Sequence, residues 1–221
     1  MTAKPNQQRL EPEVIARIRA AKILAVVVVD EPGCAVPLVE ALQAGGISGI
    51  ELTLRTPAAF EALRLVRQAY PELLIGMGTL IDKAQVAPAV AGGADFAVAP
   101  GCNPALLRSA AEAALPFFPG VATPSDIEAA LAEGRTLLKF FPAEPCGGIS
   151  YLKSMAAPYA HLDLEYIPLG GLDAENFTRY LALENVPAIG GSWIAPRELI
   201  RKRDWETITR NALEATGKLV R

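Results

Sequence analysis

Short apolar runs alternate with helix-patterned segments along nearly the whole chain, and this alternation constrains the fold more than any other feature. The runs are ILAVVVV (23–29), GIELTL (49–54), LLIGMG (73–78), DFAVAP (95–100), LPFFPG (115–120), TLLKFFP (136–142), EYIPLGG (165–171) and PAIGG (187–191). Between them lie AVPLVEALQAGG, PAAFEALRLVRQAY, KAQVAPAVAGGA, ALLRSAAEAA, SDIEAALAEG and AENFTRYLAL, with apolar residues at three-to-four spacing. That spacing is the helical period, whereas strands alternate every second residue. Repeating strand–helix units of roughly 20–26 residues fit parallel pairing, because a parallel connection needs a crossover helix. Near-continuous apolar strands are those buried on both faces.

Eight strands, each followed by a helix, with the last helix from about Trp205 to Leu219, predict one (β/α)8 TIM barrel over residues 1–221. EPEVIARIRAAK (11–22) reads as an extra N-terminal helix after a polar leader at 1–10. A doubly wound open sheet is the rival, but GxGxxG and GxxxxGK[ST] are both absent.

Composition narrows the function classes. Hydrophobic residues make up 51% of the chain, enough for a large core, and the formal net charge is −3 with no basic block. Nucleic acid is therefore not an expected partner. The longest aliphatic run, 23–29, is too short for a bilayer, and the polar N-terminus lacks a signal-peptide core, so the expectation is a cytoplasmic protein with no membrane partner. Cys34, Cys102 and Cys146 are widely spaced and odd in number, which reads as reduced thiols rather than a disulfide or metal framework. His161 is the single histidine and reads as a surface or loop residue, which leaves little material for a Ser-His-Asp triad or a His-rich zinc site.

Barrel enzymes carry their chemistry at the C-terminal ends of the strands. In GIELTLRTP, the strand period puts Glu51, Thr53 and Arg55 on the face opposite Ile50, Leu52 and Leu54. The aliphatic face belongs against helices, so the charged face points into the barrel, either as a functional set or as a buried structural Glu–Arg pair. In strand six, Leu137, Lys139 and Phe141 face inward and Leu138 and Phe140 outward. Desolvation and a like charge from Arg55 would both disfavour the protonated form of that lysine. A neutral amine there is a nucleophile; the bland alternative is a strand-end lysine snorkelling to solvent. Gly170, Gly171, Gly190, Gly191 and Ser192 end strands seven and eight, where barrels commonly bind phosphate on exposed backbone N–H groups. They could equally be ordinary tight turns. Thr79 and Pro100 end strands three and four.

ELTLRT, IGMGTL, VAPG, PGVATPSD, LKFFPAE, PLGGL and IGGSW occur in an order and spacing that resemble the 2-keto-3-deoxy-6-phosphogluconate (KDPG) and 4-hydroxy-2-oxoglutarate (KHG) aldolases, from about residue 20 to about residue 215. The resemblance implies a class I aldolase on a (β/α)8 barrel, commonly a homotrimer, with no metal or other cofactor. It implies Lys139 as the Schiff-base lysine and Glu51 as the general acid/base. Arg55 would grip the substrate carboxylate with Thr79 beside it, Pro100 and Phe141 would line the pyruvate pocket, and Gly170, Gly171, Gly191 and Ser192 would hold the distal phosphate.

The chain departs from that pattern at Leu169, where gluconate-type enzymes typically carry threonine and 6-phosphogalactonate aldolases an aliphatic residue. Leucine removes a donor near the substrate chain and adds bulk, which opens a galactonate-type or broader specificity. Ala25, where many relatives have proline, reads as a packing change. Extended strand geometry sets a caution, since Glu51 and Arg55 would lie roughly 13 Å apart unless the chain turns inward after about Leu54, with Thr56-Pro57 a plausible place. Two other classes remain as rivals. A metal-dependent pyruvate aldolase or decarboxylase needs further inward carboxylates or histidines, of which only Glu51 is clearly placed. A non-catalytic phosphate-metabolite binder would need no reactive lysine. Cys146, just after the catalytic strand, reads as incidental.

Overall fold

A computed structural model describes residues 7–219, with side chains from residue 11 onward. Of the polar leader expected at 1–10, residues 1–6 lie outside the described residues and the remainder opens the first helix. In chain order the elements are α1 (Gln7–Ala21), β1 (Ile23–Val27), α2 (Ala35–Ala44), β2 (Gly49–Thr53), α3 (Ala59–Ala69), β3 (Leu74–Gly78), α4 (Val86–Ala91), β4 (Phe96–Val98) and α5 (Pro104–Glu112). They continue with β5 (Phe117–Phe118), β6 (Gly120–Val121), α6 (Pro124–Ala132), β7 (Leu137–Phe140), α7 (Gly148–Ala156), β8 (Glu165–Pro168), α8 (Phe177–Leu181), β9 (Ile189–Gly191), α9 (Arg197–Lys202) and α10 (Trp205–Gly217).

The result is an α/β fold in which every ladder is parallel. A six-stranded sheet runs β5-β4-β3-β2-β1-β9, and a three-stranded sheet runs β6-β7-β8. The expectation of eight strands is corrected in one place. The fifth apolar run, LPFFPG, divides at Pro119: Phe117 and Phe118 pair with β4, while Gly120 pairs with Lys139 of β7. Proline has no N–H to continue a ladder, though its carbonyl still accepts from Lys139 N at 2.8 Å. Helix α7 was not picked out by the periodicity. It begins at the glycine pair Gly147-Gly148, both at positive φ, residues that ordinarily argue against a helix start.

Local chemistry starts the helices where the chain leaves the sheet. Asn103 accepts from Ala105 N ahead of α5, Thr123 and Asp126 form a reciprocal capping box at α6, and Asp204 accepts from Thr207 N at α10.

Two apolar clusters follow from the strand period. Ile50, Leu52, Leu138 and Phe140 join the cluster between sheet and helices. The opposite faces of both sheets contribute to a second one, including Leu24, Leu74, Phe96, Val98, Phe118, Leu137, Ile167 and Leu169. Helix α1 adds Val14 and Ile18 to this inner cluster beside the first inward residues of β1, β3, β4 and β7. It thereby covers the N-terminal ends of the strands. Fully burying a side chain such as Ile18 is worth about 1.5–3 kcal/mol, which holds α1 in place. Among the described residues no helix is long and apolar enough to cross a membrane.

Candidate active site

The buried polar or charged residues among those described are Glu51, Thr53 and Lys139. All three face the inner cluster, on the parity read from the sequence. Lys139 Nζ donates to Glu51 Oε1 at 2.9 Å, with the two side chains 5% and 1% exposed. The glutamate's partner is thus the lysine of β7 and not Arg55, which rules out the Glu51–Arg55 structural pair. The Lys139 ammonium also lies 5.4 Å from the centroid of the Phe141 ring. A cation and a carboxylate this dry are stable only as a pair, because each alone would carry its full desolvation cost.

Neighbouring backbone makes room for the pair. A Cβ built on Gly78 would lie 2.2 Å from Glu51 Oε1, so the glycine of IGMGTL is the space the carboxylate occupies. Thr53 is fully buried and donates to Val27 O at 3.0 Å, tying the end of β2 to β1. Its place on the inward face was legible, but its tethering partner was not.

Arg55 departs from expectation. Strand β2 ends at Thr53, Arg55 N turns back to Thr53 O at 2.9 Å, and the residue is exposed rather than facing the inner cluster. The chain thus leaves the strand direction at about Leu54, just ahead of Thr56-Pro57. Arg55 Nε donates to Thr79 Oγ1 at 3.4 Å, and among the described residues Arg55 forms no ion pair. Thr79 itself sits at φ 64, a left-handed conformation uncommon for threonine, which directs its side chain toward Arg55. Lys139 accordingly meets a carboxylate at hydrogen-bonding distance.

At the ends of β7, β8 and β9 several of the anticipated residues come together. The Phe141 ring covers Gly170, whose Cβ would meet Phe141 Cε2 at 3.1 Å. Leu169 is 4% exposed and packs flat on Gly190, whose Cβ would fall 2.3 Å from Leu169 Cγ. Gly191 is buried under Trp193, while Ser192 and Pro100 are exposed. Gly170 and Gly171 both adopt positive φ, at 92° and 82°. The backbone N–H groups of Gly170, Gly171 and Ser192 have no hydrogen-bond partner among the described residues, an arrangement suited to an anion.

The remaining sequence readings fall away from this centre. His161 is exposed in the turn that follows α7. Cys34, Cys102 and Cys146 are free thiols, with Cys34 buried and the other two partly exposed. No group of three or more His, Cys, Asp or Glu among the described residues could hold a metal ion. A cavity of about 700 Å³ is lined by Arg19, Tyr159, Glu165 and Tyr166 among others, at the N-terminal end of β8 and away from Lys139.

The sequence model of the KDPG and KHG aldolases matches residues 14–211. A 2-dehydro-3-deoxy-phosphogluconate aldolase of Pseudomonas aeruginosa is 40% identical over 212 residues, covering 95% of this chain and 96% of that one. The KHG/KDPG aldolase of Escherichia coli K12 is 38% identical over 193 residues, covering 87% and 90%. A crystal structure of a Legionella pneumophila KDPG aldolase, with pyruvate captured as a covalent carbinolamine, superimposes with a TM-score of 0.86 at 40% identity, covering 91% of this chain and 97% of that one.

Proposed function

The chain belongs to the KDPG and KHG aldolase family, and on that premise we propose that it is a class I lyase cleaving 2-dehydro-3-deoxy-6-phosphogluconate to pyruvate and glyceraldehyde 3-phosphate, with cleavage of 4-hydroxy-2-oxoglutarate as a second activity. One observation carries the proposal. It is the sealed contact of 2.9 Å between Lys139 Nζ and Glu51 Oε1.

That contact supports a complete proton circuit. A proton passes from the Lys139 ammonium to the Glu51 carboxylate, leaving a neutral amine and a carboxylic acid. The amine attacks the C2 ketone; a C–N bond forms, the carbonyl π pair moves to oxygen, and a proton passes from the new ammonium nitrogen to that oxygen, giving a neutral carbinolamine. Glu51 returns its proton to the departing hydroxyl, water leaves, and an iminium ion remains. Glu51, again a carboxylate, takes the C4 hydroxyl proton directly or through a water. The C3–C4 bond then breaks, its electron pair flows into the iminium, and the aldehyde departs. Protonation of the enamine at C3 and hydrolysis of the resulting iminium free pyruvate and restore Lys139.

The other residues bind. The exposed Arg55 guanidinium, steadied by Thr79, offers a planar fork to the substrate carboxylate. Phe141 and Pro100 flank the pyruvate moiety, and the free N–H groups at Gly170, Gly171 and Ser192, with Gly191 beside them, receive the distal phosphate. No metal is required in this scheme, so activity should survive excess EDTA.

A second reading rests on Leu169, whose apolar side chain fills the space above Gly190 and offers no hydroxyl. It favours the galactonate epimer or a broad preference at C4.

We read the two sheets as arcs of one closed (β/α)8 barrel and one domain over 1–221. β5 and β6 follow directly across Pro119, and Tyr166 N donates to Asn185 O at 2.8 Å, drawing β8 toward the segment leading into β9. A homotrimer in the cytoplasm is the assembly and setting this reading carries. The deciding experiment is borohydride reduction in the presence of pyruvate, followed by mass spectrometry of the peptide holding Lys139. A pyruvate-derived adduct on Lys139 supports the proposal, and an unmodified lysine overturns it.

A further inference from the structure

The turn that offers its N–H groups to an anion is itself held from behind. The carbonyls of Leu169 and Gly170 accept from Ala143 N at 2.7 Å and Glu144 N at 3.0 Å, and Gly171 O accepts from Asn176 Nδ2 at 3.2 Å. The C=O and N–H of a trans peptide point in opposite directions, so the N–H groups of Gly170 and Gly171, which share peptides with the Leu169 and Gly170 carbonyls, face away from Ala143 and Glu144.

Glu144 is the hub of this clamp. A Cβ on Gly171 would fall 2.6 Å from Glu144 Cβ, so side chain and turn are in direct contact. The Glu144 carboxylate is a negative charge close to a site meant for another one. It is tethered by the hydroxyl of Tyr180, a fully buried side chain on α8, which donates to Glu144 Oε1. Gly148 leaves space at this junction, since its Cβ would lie 3.1 Å from Glu144 Oε1 and 3.3 Å from the Tyr180 hydroxyl. Burial, followed by the Glu144 acceptor, raises the Tyr180 phenol far above its ordinary value, so it remains a donor at every working pH.

We propose that Tyr180 is a positioning residue for the phosphate turn, acting through Glu144 to brace Gly170-Gly171 and to hold the carboxylate away from the bound phosphate. The inference rests on the aldolase reading, and specifically on phosphate occupying that turn. Neither residue touches the reacting atoms, so the effect falls on recognition of the phosphate and not on the chemistry at Lys139.

The test is Tyr180→Phe, assayed with 2-dehydro-3-deoxy-6-phosphogluconate and with the unphosphorylated 4-hydroxy-2-oxoglutarate. The expected result is a KM for the phosphorylated substrate raised about tenfold, the scale of one hydrogen bond, with kcat for both substrates and KM for the unphosphorylated one unchanged. Glu144→Gln, whose amide oxygen can still accept from Tyr180, should keep KM near that of the parent. Equal losses on both substrates, or no loss on either, would overturn the inference. Calorimetric titration with inorganic phosphate separates this from failure of the aldolase reading. If the parent traps no pyruvate, that reading falls, while weaker phosphate binding by Tyr180→Phe still supports the brace and equal binding still removes it.

Discussion

Lys139 Nζ and Glu51 Oε1 stand 2.9 Å apart in the dry interior although 88 positions separate the two residues in the chain. Strand period alone aims each inward, but only the spacing between β2 and β7 makes them a pair. Removing one partner leaves the other buried and uncompensated, at a cost of about 3–5 kcal/mol. Lys139→Met should therefore lose borohydride trapping with pyruvate and also lower the melting temperature. Glu51→Gln should reduce kcat by about 10²–10⁴-fold while the lysine remains in place. The double variant Lys139→Met/Glu51→Gln should recover much of the stability lost in Lys139→Met, because no unpaired charge remains. Additive losses in thermal denaturation would contradict the coupling.

Gly78 gives a steric handle on the same pair. An added methyl at that position would lie 2.2 Å from Glu51 Oε1, so Gly78→Ala must push the carboxylate off Lys139. Displacement by about 1 Å can cost about 10²-fold in rate, and we expect a kcat loss of that order with the fold retained. Gly217→Ala is the control, since nothing lies within 4 Å of its added Cβ. A Gly78→Ala enzyme of parental kcat would show that the carboxylate position is not critical.

What the sequence made legible was whatever depends on strand parity. Glu51, Lys139 and the outward Leu138 and Phe140 fall where a period of two puts them. Arg55 does not, because parity holds only while the strand lasts and β2 ends at Thr53. Pro119 carried a readable signal, the missing N–H, yet the apolar run around it suggested one unbroken strand. The packing of Leu169 on Gly190 and the tether from Tyr180 to Glu144 join separate strand–helix units, and no local pattern encodes such contacts.

Asp30 predicts how stability responds to acid. Arg197 Nε donates to its carboxylate at 2.9 Å and Arg201 Nε at 2.7 Å, joining the loop after β1 to α9. The hydrogen bond from Arg197, then that from Arg201, holds the carboxyl well below its ordinary value of 3.8. A depressed folded value means the stabilisation is complete above the unfolded value and is lost as pH falls through the folded one. The gap in melting temperature between the parent and Asp30→Asn should therefore stay constant from neutrality to about pH 4 and narrow below it. Because the pair is solvent-screened, added salt should shrink the gap as well. A gap that widens toward low pH would refute the assignment.

We propose that Leu169 ties packing to substrate choice. Its side chain lies against the bare backbone of Gly190, is 4% exposed and belongs to the inner cluster. Leu169→Thr removes apolar volume and introduces a hydroxyl beside the phosphate turn. The packing loss should cost about 2 kcal/mol in thermal or urea denaturation. The hydroxyl should raise kcat/KM for 2-dehydro-3-deoxy-6-phosphogluconate over its galactonate epimer by about tenfold, a change typical of one altered contact in a pocket. Leu169→Val separates the two effects, because it trims the wall without adding a donor and should leave the epimer ratio nearly as it was. If threonine and valine shift the ratio equally, bulk governs the preference and the hydroxyl does not. If neither shifts it, discrimination at C4 lies elsewhere in the cleft.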